Sequence, residues 1–156
     1  MKKIILVLVT ISSLLFSYEM DVTKDTECEV RHFKVIKDMK WASKIELQNG
    51  KKAYFSSPKS MFEFYFRPAN WEYVGVKNEA DFKDILVTDY NTGKIIEARG
   101  AFFVYGSRAH SPAGDDLVPF DSYKEATEFA KTYSGKRVFG FKEVSIALVN
   151  LINGRI

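Results

Sequence analysis

The sequence predicts an α+β domain in which one strand–strand–helix–strand unit occurs twice, and three observations carry that prediction. Short runs that alternate polar and apolar residues are bounded by turn signals. Two segments with a serine cap and helical spacing of apolar residues follow such runs. Five identities recur at one offset of 65: Phe55 with Phe120, Ser57 with Ser122, Lys59 with Lys124, Glu63 with Glu128, and Phe64 with Phe129.

The chain opens on Lys2 and Lys3, then Ile4 to Phe16, an apolar run broken only by Thr10, Ser12 and Ser13, and then the small residue Ser17. That order predicts a secretory signal peptide over residues 1–17. The run is shorter than the ~20 apolar residues a membrane-spanning helix needs. Asp25, Thr26 and Glu27 precede Cys28, which is not the pattern of a lipid-modified cysteine. The expectation is a soluble periplasmic protein with one domain over residues 18–156.

Within that domain, Lys44 to Gln48 alternates, Asn49-Gly50 supplies the positive-φ residues of a tight hairpin turn, and Lys52 to Phe55 runs back. Ser57 caps a helix from Pro58 to about Phe66, with proline in the first turn and Pro68 beyond its end. A strand is expected over residues 85–89, a turn at Asp89 to Gly93 and a further strand over 95–97. The second unit has a strand at 101–105, a loop at 106–115 and a returning strand at 117–120. A helix over 123–133 capped by Ser122 follows, then a strand at 137–141. A short amphipathic helix is expected over 143–151. The halves, about 28–90 and 95–145, are each too short to bury a core alone, so they form one compact unit.

Composition excludes some functions. The formal charge of +3 falls by two when Lys2 and Lys3 leave with the leader, which gives no electrostatic basis for nucleic-acid binding. No phosphate-binding glycine loop or nucleophile elbow is present. Asp115-Asp116 reads as a solvated turn rather than an acid–base pair, and no enzyme is expected. The aromatic content of 15% fits a sheet-rich core; an aromatic small-molecule pocket is the weakest of the functional alternatives. A single cysteine in an oxidising compartment forms no internal disulfide.

Soft-metal chemistry is the sharper possibility. Copper(I) prefers thiolate and thioether, with imidazole acceptable. Cys28 and His32 stand four residues apart, and Met39, Met61 and His110 are further donors. Met61 beside Phe62 and Phe64 also fits a core residue, and His110 also fits a solvated loop histidine.

The same residues bring a family into view. Cys28-Glu29-Val30-Arg31-His32-Phe33-Lys34-Val35 is similar to the Cys-Pro-Val-Cys-Gly-Met-Phe-Val that often opens NosL-type accessory proteins of nitrous oxide reductase maturation. Trp41 to Ile45 with Asn49-Gly50, and Phe55 to Met61, resemble further motifs of that family. So does the series Val87-Thr88-Asp89-Tyr90, Gly93, Ala98, Ala101, Val104, Gly106-Ser107, Pro112, Gly114 and Pro119-Phe120. The resemblance runs from about Cys28 to Val144.

It implies duplicated strand–strand–helix–strand units, a periplasmic setting and copper(I) handling for the reductase beside a membrane transporter. The partner would be the reductase or that maturation transporter, with membrane contact only through a partner. Carried over residue by residue, Cys28 matches the first cysteine and Met61 the helix methionine. Arg31 stands for the second cysteine, His32 for the glycine, Phe33 for the motif methionine and Ala113 for a later one. Arginine cannot coordinate, and phenylalanine and alanine have no donor atom. The donors that remain are Cys28 and Met61 with the two histidines, so the expected metal residues are Cys28, His32, Met61 and His110. The alternatives are a metal-free paralogue that keeps an interaction surface, and a reactive thiolate at Cys28 promoted by Arg31.

Overall fold

The computed structural model describes residues 17–155. The expected signal peptide therefore lies, except for Ser17, outside the described residues. Among those described, no helix is long and apolar enough to cross a membrane.

The first unit consists of β1 (Ser43–Leu47), β2 (Lys52–Phe55), α1 (Pro58–Tyr65) and β3 (Phe82–Thr88), followed by an added strand β4 (Ile95–Glu97). The second consists of β5 (Phe102–Ser111), β6 (Gly114–Phe120), α2 (Tyr123–Thr132) and β7 (Arg137–Gly140), with α3 (Ile146–Ile152) after it. The sheets are ordered β2-β1-β3-β4 and β6-β5-β7. In each, the first strand of the unit is central, flanked by its hairpin partner and by the strand that returns after the helix, with antiparallel pairing throughout. The duplication read from the sequence is thus a duplication of topology.

Local chemistry explains the correspondence. Ser57 and Ser122 are N-caps whose hydroxyls accept from the N–H groups of Ser60 and Glu125, each at 3.3 Å. Such a cap satisfies an amide that the helix leaves without a partner, a contribution of ~1 kcal/mol. Gly50 takes φ 81° in the β1–β2 turn, a conformation that favours glycine.

One expectation is corrected. Residues 106–115 are not a loop: β5 continues to Ser111, and the hairpin turns at Pro112-Ala113. Gly106, at φ 73°, marks the start of a register shift between Tyr105 and His110, so the strand bends without ending. The Gly-Ser and Pro-x-Gly signals mark a bulge and a tight turn.

α1 packs against β1, β2, β6 and α3, which places it between the two units. Its residues Met61, Phe62 and Phe64 are fully buried in the main core with Phe55, Ile45, Ile85 and Phe103. A smaller core under α2 holds Trp41, Val104, Val118, Phe120 and Phe129. Asp89 ties the units together. Its Oδ1 accepts from the amides of Asn91 and Thr92, and its Oδ2 accepts from the amide of Asp121 at 2.7 Å. The Tyr90 amide donates to Pro119 O.

Candidate metal centre

Residues 27–34 form a small closed loop at the edge of β2. Glu27 and Lys34 pair across its base. The Cys28 amide donates to Phe33 O, and the His32 amide donates to Cys28 O, both at 2.8 Å. The Glu29 amide donates to Tyr54 O at 2.8 Å, which pins the loop to β2. Reversing the chain in so few residues puts His32 at φ 58°, the left-handed region that costs a non-glycine residue energy.

The loop turns Cys28 inward and its later residues outward. Cys28 is fully buried, and its sulfur accepts from the backbone N–H of Arg31 at 3.3 Å. His32 and Phe33 are exposed. With Lys34, Lys37 and Pro112 they line an open cavity of about 360 Å³. The loop and the β5–β6 turn are therefore neighbours in space, although about eighty residues apart in sequence.

That turn is anchored on α1. Lys59 Nζ donates to Ala113 O at 2.8 Å, and the Lys59 amide donates to Asp116 Oδ1 at 2.7 Å. Asp116 also accepts from the Leu117 amide and the Ser111 hydroxyl. The expectation of a solvated Asp115-Asp116 turn holds only for Asp115, because Asp116 is buried. Burial pushes the Asp116 carboxyl up from its ordinary value, against the hydrogen bonds that it accepts. Burial likewise pushes the Lys59 ammonium down.

The Arg31 side chain runs to α1. Its Nη2 donates to Glu63 Oε2 at 2.9 Å and to Asn153 Oδ1 at 2.6 Å. Glu63 also receives Arg67 and Arg155, so a buried carboxylate joins the Cys28 loop, α1 and the end of α3. The sequence pairs none of these residues.

The remaining donors lie apart in character. Met61 is fully buried and belongs to the same apolar cluster as Cys28. His110 is exposed near the end of β5, with Nδ1 2.9 Å from Asp115 Oδ1. Met39 is half-buried. Among the described residues, no group of three or more His, Cys, Asp or Glu side chains is placed to hold a metal ion. What the arrangement offers is a shielded thiol below an exposed imidazole-bearing loop.

With this geometry in place, comparison with known proteins is informative. The family model NosL matches residues 19–149. The chain belongs to the NosL family. A crystal structure of the copper chaperone NosL from Shewanella denitrificans superposes with a TM-score of 0.70 at 21% identity, covering 84% of this chain and 98% of that one. A solution structure of the apo-NosL protein from Achromobacter cycloclastes gives 0.49 at 24% identity, over 69% and 87% of the two chains. No curated protein sequence matches. The NosL fold therefore spans nearly all of the described chain.

Proposed function

We propose that this NosL-family chain is a copper(I)-handling accessory protein that is exported to the periplasm and serves nitrous oxide reductase assembly. The observation that carries the reading is the loop 27–34, which keeps Cys28 at its head and adds an imidazole at His32. Thiolate and imidazole are both acceptable to copper(I). The Arg31 N–H already directed at the Cys28 sulfur is placed to stabilise the thiolate that binding requires. Met61, buried in the same large core cluster, is the thioether that this reading adds to the set. His110, paired with Asp115, stands outside this set.

Because Cys28 is fully buried, copper reaches it only when the loop lifts from β2. In this reading copper approaches from the open cavity beside His32 and Phe33. The recipient, in this reading, is the reductase or its maturation transporter. Anaerobic titration with copper(I) against a competing chelator tests the proposal: one-to-one binding is expected, weakened more than about tenfold by Cys28→Ser. Affinity unchanged by Cys28→Ser removes the ligand assignment.

One observation favours a second reading. Arg31 occupies the place of the family's second cysteine and is bound to Glu63, so the loop is closed by an ion pair. A metal-free chain that docks on the same machinery would keep this closed loop. No competition with the chelator, together with retained binding to the transporter or the reductase, supports that alternative.

A further inference from the structure

The Glu63 cluster is unbalanced. Three guanidinium groups, from Arg31, Arg67 and Arg155, converge on one carboxylate. Each carries five N–H donors and none can shed its charge. The oxygens that face them are the two of Glu63 and the side-chain oxygens of Asn150 and Asn153. Among the described residues donors exceed acceptors, and the ion pairs set three guanidiniums against one carboxylate. Arg31 Nε is buried and has no hydrogen-bond partner among the described residues. A buried donor without a partner is costly and calls for an acceptor that belongs there. Lys59 Nζ, on the same helix, donates to Ala113 O and adds a further positive charge to this side of the molecule. Arg67 and Arg155 remain partly exposed, so the cluster is open to solution on one side.

We infer that the guanidinium groups of Arg31, Arg67 and Arg155 form a binding site for a small oxyanion, a phosphate or a carboxylate, at the junction of the Cys28 loop, α1 and the end of α3. Guanidinium pairs such oxygens with two parallel hydrogen bonds, which lysine cannot do. The site is coupled to Cys28 through one residue, because the Arg31 backbone N–H donates to the Cys28 sulfur while its side chain faces the anion. An anion held there fixes the loop closed over the thiol. The inference does not rest on copper binding.

The test uses the apo protein with inorganic phosphate and, separately, acetate, each compared with chloride at matched ionic strength. Thermal unfolding and the rate of Cys28 alkylation by neutral iodoacetamide are the two readouts. At ten times the dissociation constant, unfolding is expected to shift up by about 4 °C. Alkylation is expected to slow about tenfold, because the open loop lacks the site. Response to phosphate alone assigns a tetrahedral dianion, and response to both assigns a site that also accepts a carboxylate. Arg155→Gln, on the most exposed of the three, and Arg67→Gln should abolish both effects. An effect equal to that of chloride, or undiminished in both variants, overturns the inference.

Discussion

Arg31 Nη2 lies 2.9 Å from Glu63 Oε2, so the Arg31 side chain is held by α1 and is not free beside the thiol. Glu63 is nearly buried, at 7% side-chain exposure, whereas its arginine partners are partly exposed. A charge buried to this degree is tolerated only with partners, and here they come from three separate stretches of chain. Arg31 thereby ties the loop to the helix.

Removing the charge that gathers these partners should weaken the fold. Glu63→Gln leaves three guanidiniums facing one another, and the solvent near Arg155 screens part of the repulsion. A loss of about 2 kcal/mol is expected from urea unfolding, with a smaller loss for Arg155→Gln. Equal stability of Glu63→Gln and the wild type contradicts the role given to the cluster.

His32 sits at φ 58°, where glycine is unstrained. His32→Gly should therefore raise stability by about 0.5–1 kcal/mol while weakening copper(I) binding. The opposite directions separate a residue kept for packing from one kept for chemistry. Loss of stability together with unchanged affinity would place His32 among the structural residues.

Asp116 makes stability depend on pH in a stated direction. Burial raises its folded-state value above the ordinary 3.8, so the native chain holds the proton more tightly than the unfolded chain does. The resulting stabilisation is fully present below 3.8 and is lost as pH rises through the raised value. Relative to Asp116→Asn, the wild type should lose stability as pH rises from there and then level off. Urea midpoints for both proteins across that interval measure the difference, and a flat difference contradicts the assignment.

Met61 is both core and candidate donor, and two substitutions separate the roles. Met61→Leu keeps volume and should change stability by less than about 1.5 kcal/mol, while Met61→Ala should cost about 2–5 kcal/mol. Copper(I) affinity should fall in both, since neither side chain carries sulfur. Undiminished affinity in Met61→Leu assigns Met61 to the core alone.

The fold was legible where local chemistry decides it. The Asn49-Gly50 turn, the Ser57 and Ser122 caps and the offset of 65 carry enough information to give both units and their order. The register shift after Gly106 was not legible, because glycine and serine signal a loop and a bulge alike. The candidate site was legible as a set of donor residues but not as an arrangement. Nothing near Arg31 in the sequence points to Glu63, thirty-two residues away. Nothing in Asp115-Asp116 says that one carboxylate faces solvent and the other a helix N-terminus. Those pairings arise only when α1 is packed between the two units.

The central claim is that the altered loop still takes copper(I) through Cys28. Anaerobic competition between the protein and a copper(I) chelator, run for the wild type and for Cys28→Ser, tests it most directly. The account predicts one-to-one binding in the wild type and a loss of more than about tenfold in affinity in the variant. Failure of the wild type to compete, or equal competition by both proteins, would contradict it.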